Sequence, residues 1–489
     1  MDEGALEERL RSLLSEGLDH ALRPTDESHH HQQRLARRLE IASSVYSSWT
    51  GKENDASKLA SKIADGSVDN LRSFVTEKDE DDGVEATSTV TVEVRDAEDL
   101  SYEEFWLRYM FENKPVLVSH IGREWRATRE WTDHNGALSL GALSEAFGDA
   151  QVWVTHCTST AEKSAGERER WTVREYIENY WRKDEGDRGN RSLYLKDWHF
   201  PTEFADYGAY ETPKYFRDDW LNEYYDHLAS NAGPGGAGDK TDQQALECSD
   251  YRFLYMGPKG TKTGLHADVL RSFSWSINIS GRKRWFLLPP RYTHLLYDTF
   301  GHNIAPAFFG VDEEAFPNVA AARKYLVEVV QGVGEAIFVP SGWHHTVENL
   351  EDTLSINHNW FNACNVHYAV ELLQRERHEA EQAICDCREL VASEEEFEEL
   401  VQRNVAANAS MDYENFAYLL VMVAVSRARA LVEEDSVEDP ESLMRSYEAK
   451  MACAAVRPLV GRITSKEAEA EILKSMDFVK ASLPHVNWE

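Results

Sequence analysis

Leu6, Leu10, Leu13 and Leu14 recur at helical spacing with charges between them, and residues 1 to about 75 read as helices. The run from Glu77 to Glu85 is mostly acidic around Gly83 and predicts a linker. Thr89 to Val94 alternates like a strand, Tyr102 to Tyr109 (YEEFWLRY) predicts a short amphipathic helix, and Pro115 to Val118 (PVLV) and Gln151 to Val154 (QVWV) predict buried strands. Thr172 and Glu175 are spaced as a capping box and start a helix over Val173 to Arg182. The glycine-rich stretch from Asn231 to Lys240 predicts a loop or insertion.

From Arg252 to Trp360 the period changes. Trp275, Ile277 and Ile279 alternate with Ser274, Ser276, Asn278 and Ser280, the period of two of a strand. Gly281 turns the chain, and Arg284 to Leu288 returns as a strand stopped by Pro289 and Pro290. Ala336 to Val339 ends at Pro340, His345 to Val347 returns, and Leu354, Ile356 and His358 alternate in a last strand. Short strands with regular turns predict a barrel or sandwich. Beyond residue 365 the pattern is helical over Val366 to Leu390, Phe397 to Val405, Phe416 to Leu431, Glu441 to Val456 and Glu467 to Leu483. Helices grouped around a run of strands make the class α+β. The divisions are 1–76 (helical), 77–88 (linker), 89–365 (strand-rich domain) and 366–489 (helical). The last unit reads as a dimerisation domain giving a homodimer, a substrate-binding domain, or a bundle that covers the barrel.

Composition narrows the classes. Hydrophobic residues at 42% and aromatics at 11% exclude wholesale disorder. A formal net charge of −34 opposes direct nucleic-acid binding and suits a basic protein segment. Six cysteines are sparse, and Met1 to Arg23 reads as a charged amphipathic helix rather than a secretory leader, so a reducing intracellular compartment is expected. The most apolar run, Tyr418 to Val425, is too short to span a bilayer, and no membrane association is expected. Cys385 and Cys387 lack a second pair, and His29, His30 and His31 read as a solvated loop.

The chemistry concentrates in His266-Ala267-Asp268 and in Trp343-His344-His345. Side chains at i and i+2 on a strand share a face, so His266 and Asp268 can reach one ion, and a histidine from a neighbouring strand completes a facial triad. Two histidines and one carboxylate leave three positions open, the ligand set of non-haem Fe(II) oxygenases. A chelating oxo-dicarboxylate would need a cation and hydroxyls for its far end. Lys283 and Thr263 stand where they can supply them.

The segments YMGPKGTKTGLHADVLRSFSWSINISGRKRWFLLPP and GEAIFVPSGWHHTVENLEDTLSINHNW resemble the JmjC family of Fe(II)- and 2-oxoglutarate-dependent oxygenases, over roughly residues 95 to 375. TPKYFRDDWLNEYYD (Thr212 to Asp226) and YLKDWHF (Tyr194 to Phe200) resemble the branch that hydroxylates a lysine of the translation termination factor. The resemblance implies a double-stranded β-helix, a jelly-roll or cupin-like barrel, and the helices that the pattern predicts at both ends flank it. It implies His266, Asp268 and His345 as iron ligands, His345 because it lies five residues after Pro340, with His344 left to pack nearby. It implies Lys283, Thr263 and Tyr194 at the far carboxylate of 2-oxoglutarate and Asn359 near the iron-bound end. Ser276 stands where relatives carry asparagine, which leaves it without an assigned role. The implied reaction consumes 2-oxoglutarate and O2, gives succinate and carbon dioxide, and hydroxylates a C–H bond of a protein. Such a substrate implies a cytoplasmic address with some nuclear presence. The alternatives are a lysine demethylase using the same cofactors and a barrel serving only as a scaffold.

Overall fold

The protein, seen here as a computed structural model, is described for Arg11 and residues 92–488 apart from 158–165, 184–191, 232–249, 302 and 434–439. The expected N-terminal helices, the acidic linker and nearly all of the glycine-rich insertion fall outside the described residues.

Among the described residues the strands form two sheets. The larger contains β1 (Glu93–Asp96), β2 (Val116–Ser119), β3 (Gln151–His156), β4 (Arg168–Thr172), β5 (Leu193–Trp198), β6 (Arg252–Gly257), β8 (Phe273–Ser280), β11 (Ala336–Val339) and β13 (Thr353–Trp360). Its order is β1-β2-β11-β8-β13-β6-β5-β3-β4. The smaller contains β7 (Lys262–His266), β9 (Lys283–Leu288), β10 (Val327–Gln331) and β12 (His344–Asn349), ordered β10-β9-β12-β7. All pairings are antiparallel except β1 with β2. Side chains of both sheets line one cavity between them, as in the expected jelly roll.

The alternation in β8 reads directly in space. Trp275, Ile277 and Ile279 join the main core, while Ser274 and Ser276 face the cavity. Gly281 makes the turn at φ +77°, and a Cβ there would lie 2.2 Å from the Asp352 carbonyl oxygen, so only glycine fits. The first expected helix is α1 (Tyr102–Phe105), which continues as a π turn over Trp106–Met110. The capping box forms as expected: Thr172 and Glu175 bond each other's backbone N–H and start α2 (Val173–Tyr176), which also continues as a π turn. The aromatics between Tyr207 and Tyr225 mostly pack beneath the barrel. Phe216 stacks on Trp275 at 5.3 Å, and Tyr215 donates to the carbonyls of Ala97 and Leu100.

The C-terminal helices are α4 (Val366–Ala383), α5 (Glu394–Ala409), α6 (Tyr413–Glu433), α7 (Pro440–Val460) and α8 (Lys466–Ser482), and they share one continuous core with the large sheet and with α3 (Trp220–Asn231). The apolar run around Tyr418 belongs to a longer helix than the sequence suggested. By length and composition α6 could cross a membrane, with mean hydropathy 1.4, but half of that stretch is buried inside the protein. Its apolar side packs against α7 and α8.

One buried ion cluster joins this bundle to the barrel side. Arg427 on α6 donates to both carboxylate oxygens of Glu223 on α3, at 3.1 and 2.9 Å, and to Glu448 on α7, with Asp218 at 3.7 Å. Burial raises the carboxyls of Asp218 and Glu448 above their ordinary range, so the guanidinium is what keeps this cluster tolerable. Removing it strands acidic groups out of water. Arg427→Met is expected to lower unfolding free energy by about 3–5 kcal/mol in a denaturant titration; a change under about 1 kcal/mol would mean that the cluster does not join the two parts.

Candidate functional site

The pairing of β12 with β7 places His345 directly opposite His266, with ring centroids 4.3 Å apart. Asp268 does not share the strand with His266, contrary to the sequence expectation. β7 stops at His266, and Asp268 opens a one-turn 3-10 segment over Val269–Arg271. Leu270 and Arg271, in the turn that follows Asp268, both adopt φ +52°, a costly conformation for side chains other than glycine. The ligand atoms of His266, Asp268 and His345 lie within 4.8 Å of one another.

The surrounding hydrogen bonds suit a metal. His266 Nδ1 pairs with the carbonyl of Gly264 at 2.9 Å and His345 Nδ1 with that of Trp343 at 3.0 Å, each two residues back. A carbonyl only accepts, so each Nδ1 carries the proton and each Nε2 offers a lone pair. Ser274 Oγ donates to Asp268 Oδ2 at 2.7 Å and leaves the other carboxylate oxygen for an ion. His266 is reached from the cavity but otherwise enclosed, and burial, then the neighbouring His345, hold it down at about 4. It is therefore neutral and ready to ligate at physiological pH. Trp285 lies tilted against His345 with ring centroids 5.6 Å apart and donates to Gln331. His344 points the other way, buried beside Thr293, as the sequence reading expected.

The cavity of about 830 Å³ also gathers the expected cosubstrate residues Tyr194, Thr263, Lys283 and Asn359. Thr263 is three residues before His266, a spacing that puts side chains on opposite faces of a regular strand. A bulge resolves this: His345 pairs with His266 but Val347 with Thr263, three residues against two. Lys283 is buried, and its Nζ donates to Ser355 Oγ at 2.5 Å, with no carboxylate partner among the described residues. Burial, then the charge of Lys196, lowers it to about 7. Tyr194 is packed against Gly257, where an added Cβ would lie 2.5 Å from its ring. Asn359 donates to Ser272 Oγ at 3.2 Å. Ser276 lines the cavity with a buried hydroxyl that finds no partner among the described residues, and Asn357, opposite it on β13, lines the cavity too.

Sequence reasoning gave no role to Lys196, Asp197, His199, Phe253 or Tyr255, all of which line the cavity. Phe253 and Tyr255 of β6, with Tyr251 just before the strand, are at alternate positions and line the cavity. His199 Nδ1 donates to the fully buried Asp250 at 2.6 Å. The alternation along YLKDW and YRFLY carries the signal for Lys196, Phe253 and Tyr255, whereas Asp197 and His199 fall outside it.

The description "Cupin-like domain" matches residues 102–365. The Arginine-specific demethylase JMJ20 of Arabidopsis thaliana is 43% identical over 326 residues, which cover 66% of this chain and 68% of that protein. The 2-oxoglutarate and iron-dependent oxygenase JMJD4 of Danio rerio is 37% identical over 337 residues, covering 67% and 74%, and that of Gallus gallus is 35% identical over 402 residues, covering 79% and 88%.

Two predictions follow from the geometry. His345→Ala should weaken Mn(II) binding, read by calorimetry, by more than the roughly 10–100-fold typical of losing a supporting contact around a ligand, whereas His344→Ala should leave it nearly intact; equal losses would contradict the assigned pleat. Lys283 binds a carboxylate only as an ammonium, so above pH about 7 binding must take up a proton. Affinity for 2-oxoglutarate should be level below that pH and fall toward tenfold per unit above it, with proton uptake visible in buffers of different ionisation enthalpy. An affinity that is flat to pH 9 would show Lys283 charged before binding.

Proposed function

This chain belongs to the cupin-like, JmjC-type family of 2-oxoglutarate- and iron-dependent oxygenases, and from that premise we propose that it is a protein hydroxylase acting on a lysine side chain of the translation termination factor. The observation that carries this reading is where the branch-specific residues lie. YLKDWHF contributes Tyr194, Lys196, Asp197, Trp198 and His199 to the cavity wall, so one of the two segments that resemble the lysyl hydroxylase branch faces the cavity. A cavity of about 830 Å³ also has room for a protein side chain beside a five-carbon dicarboxylate. A cytoplasmic protein fits a translation-factor substrate.

His266, Asp268 and His345 would hold the iron on one face and leave three positions open. With 2-oxoglutarate and O2, iron in such a site supplies oxidative decarboxylation to succinate and carbon dioxide coupled to C–H hydroxylation. The protein's part is to bind, orient and keep water out. Lys283, Thr263 and Tyr194 orient the far carboxylate, Asn359 stands toward the metal end, and Trp285 screens His345. No side-chain base is required.

A second reading has one specific support, the 43% identity to a protein named an arginine-specific demethylase. Demethylation begins with the same hydroxylation on an N-methyl carbon and ends in formaldehyde, so the triad serves both. One experiment separates them. Recombinant termination factor and methyl-arginine and methyl-lysine peptides are incubated with the full chain, Fe(II), 2-oxoglutarate and O2, with His266→Ala as control. An added oxygen on one lysine, absent with the variant, is the expected mass-spectrometric result. Formaldehyde and a lost methyl group would replace hydroxylation with demethylation, and 2-oxoglutarate turnover with neither would discard the termination factor as substrate.

A further inference from the structure

Among the described residues Lys196 stands out in the cavity as a cation with no carboxylate in ion-pair contact. Its Nζ lies 5.9 Å from the ring centroid of Tyr194 and 5.8 Å from that of Tyr255. It makes no ion pair within 4.0 Å and no hydrogen bond among the described residues. The adjacent Asp197 is engaged elsewhere, accepting from Tyr255 Oη at 2.8 Å and from Arg168 at 2.7 Å. Burial lowers Lys196 from its ordinary range, so the site holds this ammonium at a cost.

The backbone places it there by a local device. β5 pairs with β6 at Leu195–Met256 and at Trp198–Leu254, three residues against two. That bulge carries Asp197 at φ +55°, and it lets Tyr194, Lys196 and Asp197 all line the cavity. Lys283 approaches the same ring from the facing sheet, 5.9 Å from the centroid of Tyr255. A buried ammonium, Lys283, and a half-buried one, Lys196, thus flank one tyrosine, and the charge of Lys196 disfavours that of Lys283 unless an anion arrives. Tyr194, which the family resemblance assigns to the far carboxylate of the cosubstrate, sits under Lys196 as well.

We propose that Lys196 is a second anion-binding group of this cavity, closing together with Lys283 on the far carboxylate of 2-oxoglutarate. The far end would then be held by two cations from opposite sheets rather than by one. This rests only on the cosubstrate part of the function above and is independent of which protein is hydroxylated.

The test needs no protein substrate. The full chain is loaded with Mn(II), and dissociation constants are measured for 2-oxoglutarate and for 2-oxobutanoate, which chelates alike but lacks the far carboxylate. Lys196→Gln should weaken 2-oxoglutarate roughly tenfold, the loss of one hydrogen bond to a charged group, and leave 2-oxobutanoate unchanged. Lys196→Arg should recover most of the difference, which a folding defect would not allow. An unchanged 2-oxoglutarate constant in Lys196→Gln overturns the assignment, as does an equal loss for both ligands that arginine fails to rescue. A wild-type chain that binds Mn(II) but not 2-oxoglutarate overturns the cosubstrate reading and this inference together.

Discussion

The antiparallel register of β12 on β7 is the constraint from which the site follows. It sets His345 across from His266 and turns His344 away, because neighbouring side chains on a strand face opposite sides. A slip of one residue would exchange the two histidines and dismantle the ligand set. The register is held on both flanks. β9 pairs with β12 along its full length, and Asn349 at the far end of β12 reaches across to Thr261 beside β7.

The two bulges extend this logic. A regular strand can offer only every second residue to a cavity. The extra residue in β7 brings Thr263 onto the side of His266, and the one in β5 adds Asp197 beside Lys196. The price is irregular pairing at both of these points. Against a chain of net charge −34, the cavity sets Arg168, Arg170, Lys196 and Lys283 against three carboxylates, Asp197, Glu203 and Asp268. That local inversion of sign suits small acids, whichever protein segment approaches from outside.

Much of this was legible beforehand, for identifiable reasons. The strands β8, β9, β11, β12 and β13 are bounded by Gly281, Pro289, Pro340 and their flanking turns, and their alternation is strong. The capping box at Thr172 and the C-terminal helices had equally local signals. The triad and Lys283 were visible because ligand chemistry restricts both residue type and spacing. β4, β5, β6 and β10 were not singled out, and β7 was read only as the strand under His266: it is short, carries Gly264 and is mostly polar, so its pattern is weak. Asp268 was placed on the strand because the i, i+2 rule assumes regular geometry, which ends at His266. Lys196 was hidden for a different reason. A lysine in sequence defaults to the surface, although this one shares the face of Tyr194 two residues before it.

The turn after Asp268 bears on what counts as the enzyme's working unit. Leu270 and Arg271 are both left-handed, a conformation costing about 1–2 kcal/mol for each such residue, so something else must hold them. Leu270 is buried, and the turn packs against α4, which starts one residue after the cupin-like match ends. Ser410, at the end of α5, even reaches the cavity lining. The C-terminal helices are thus part of the frame that aims a metal ligand. The catalytic unit is not a portable barrel with an appendage, and dissecting or grafting it at residue 365 would cut through its own foundation.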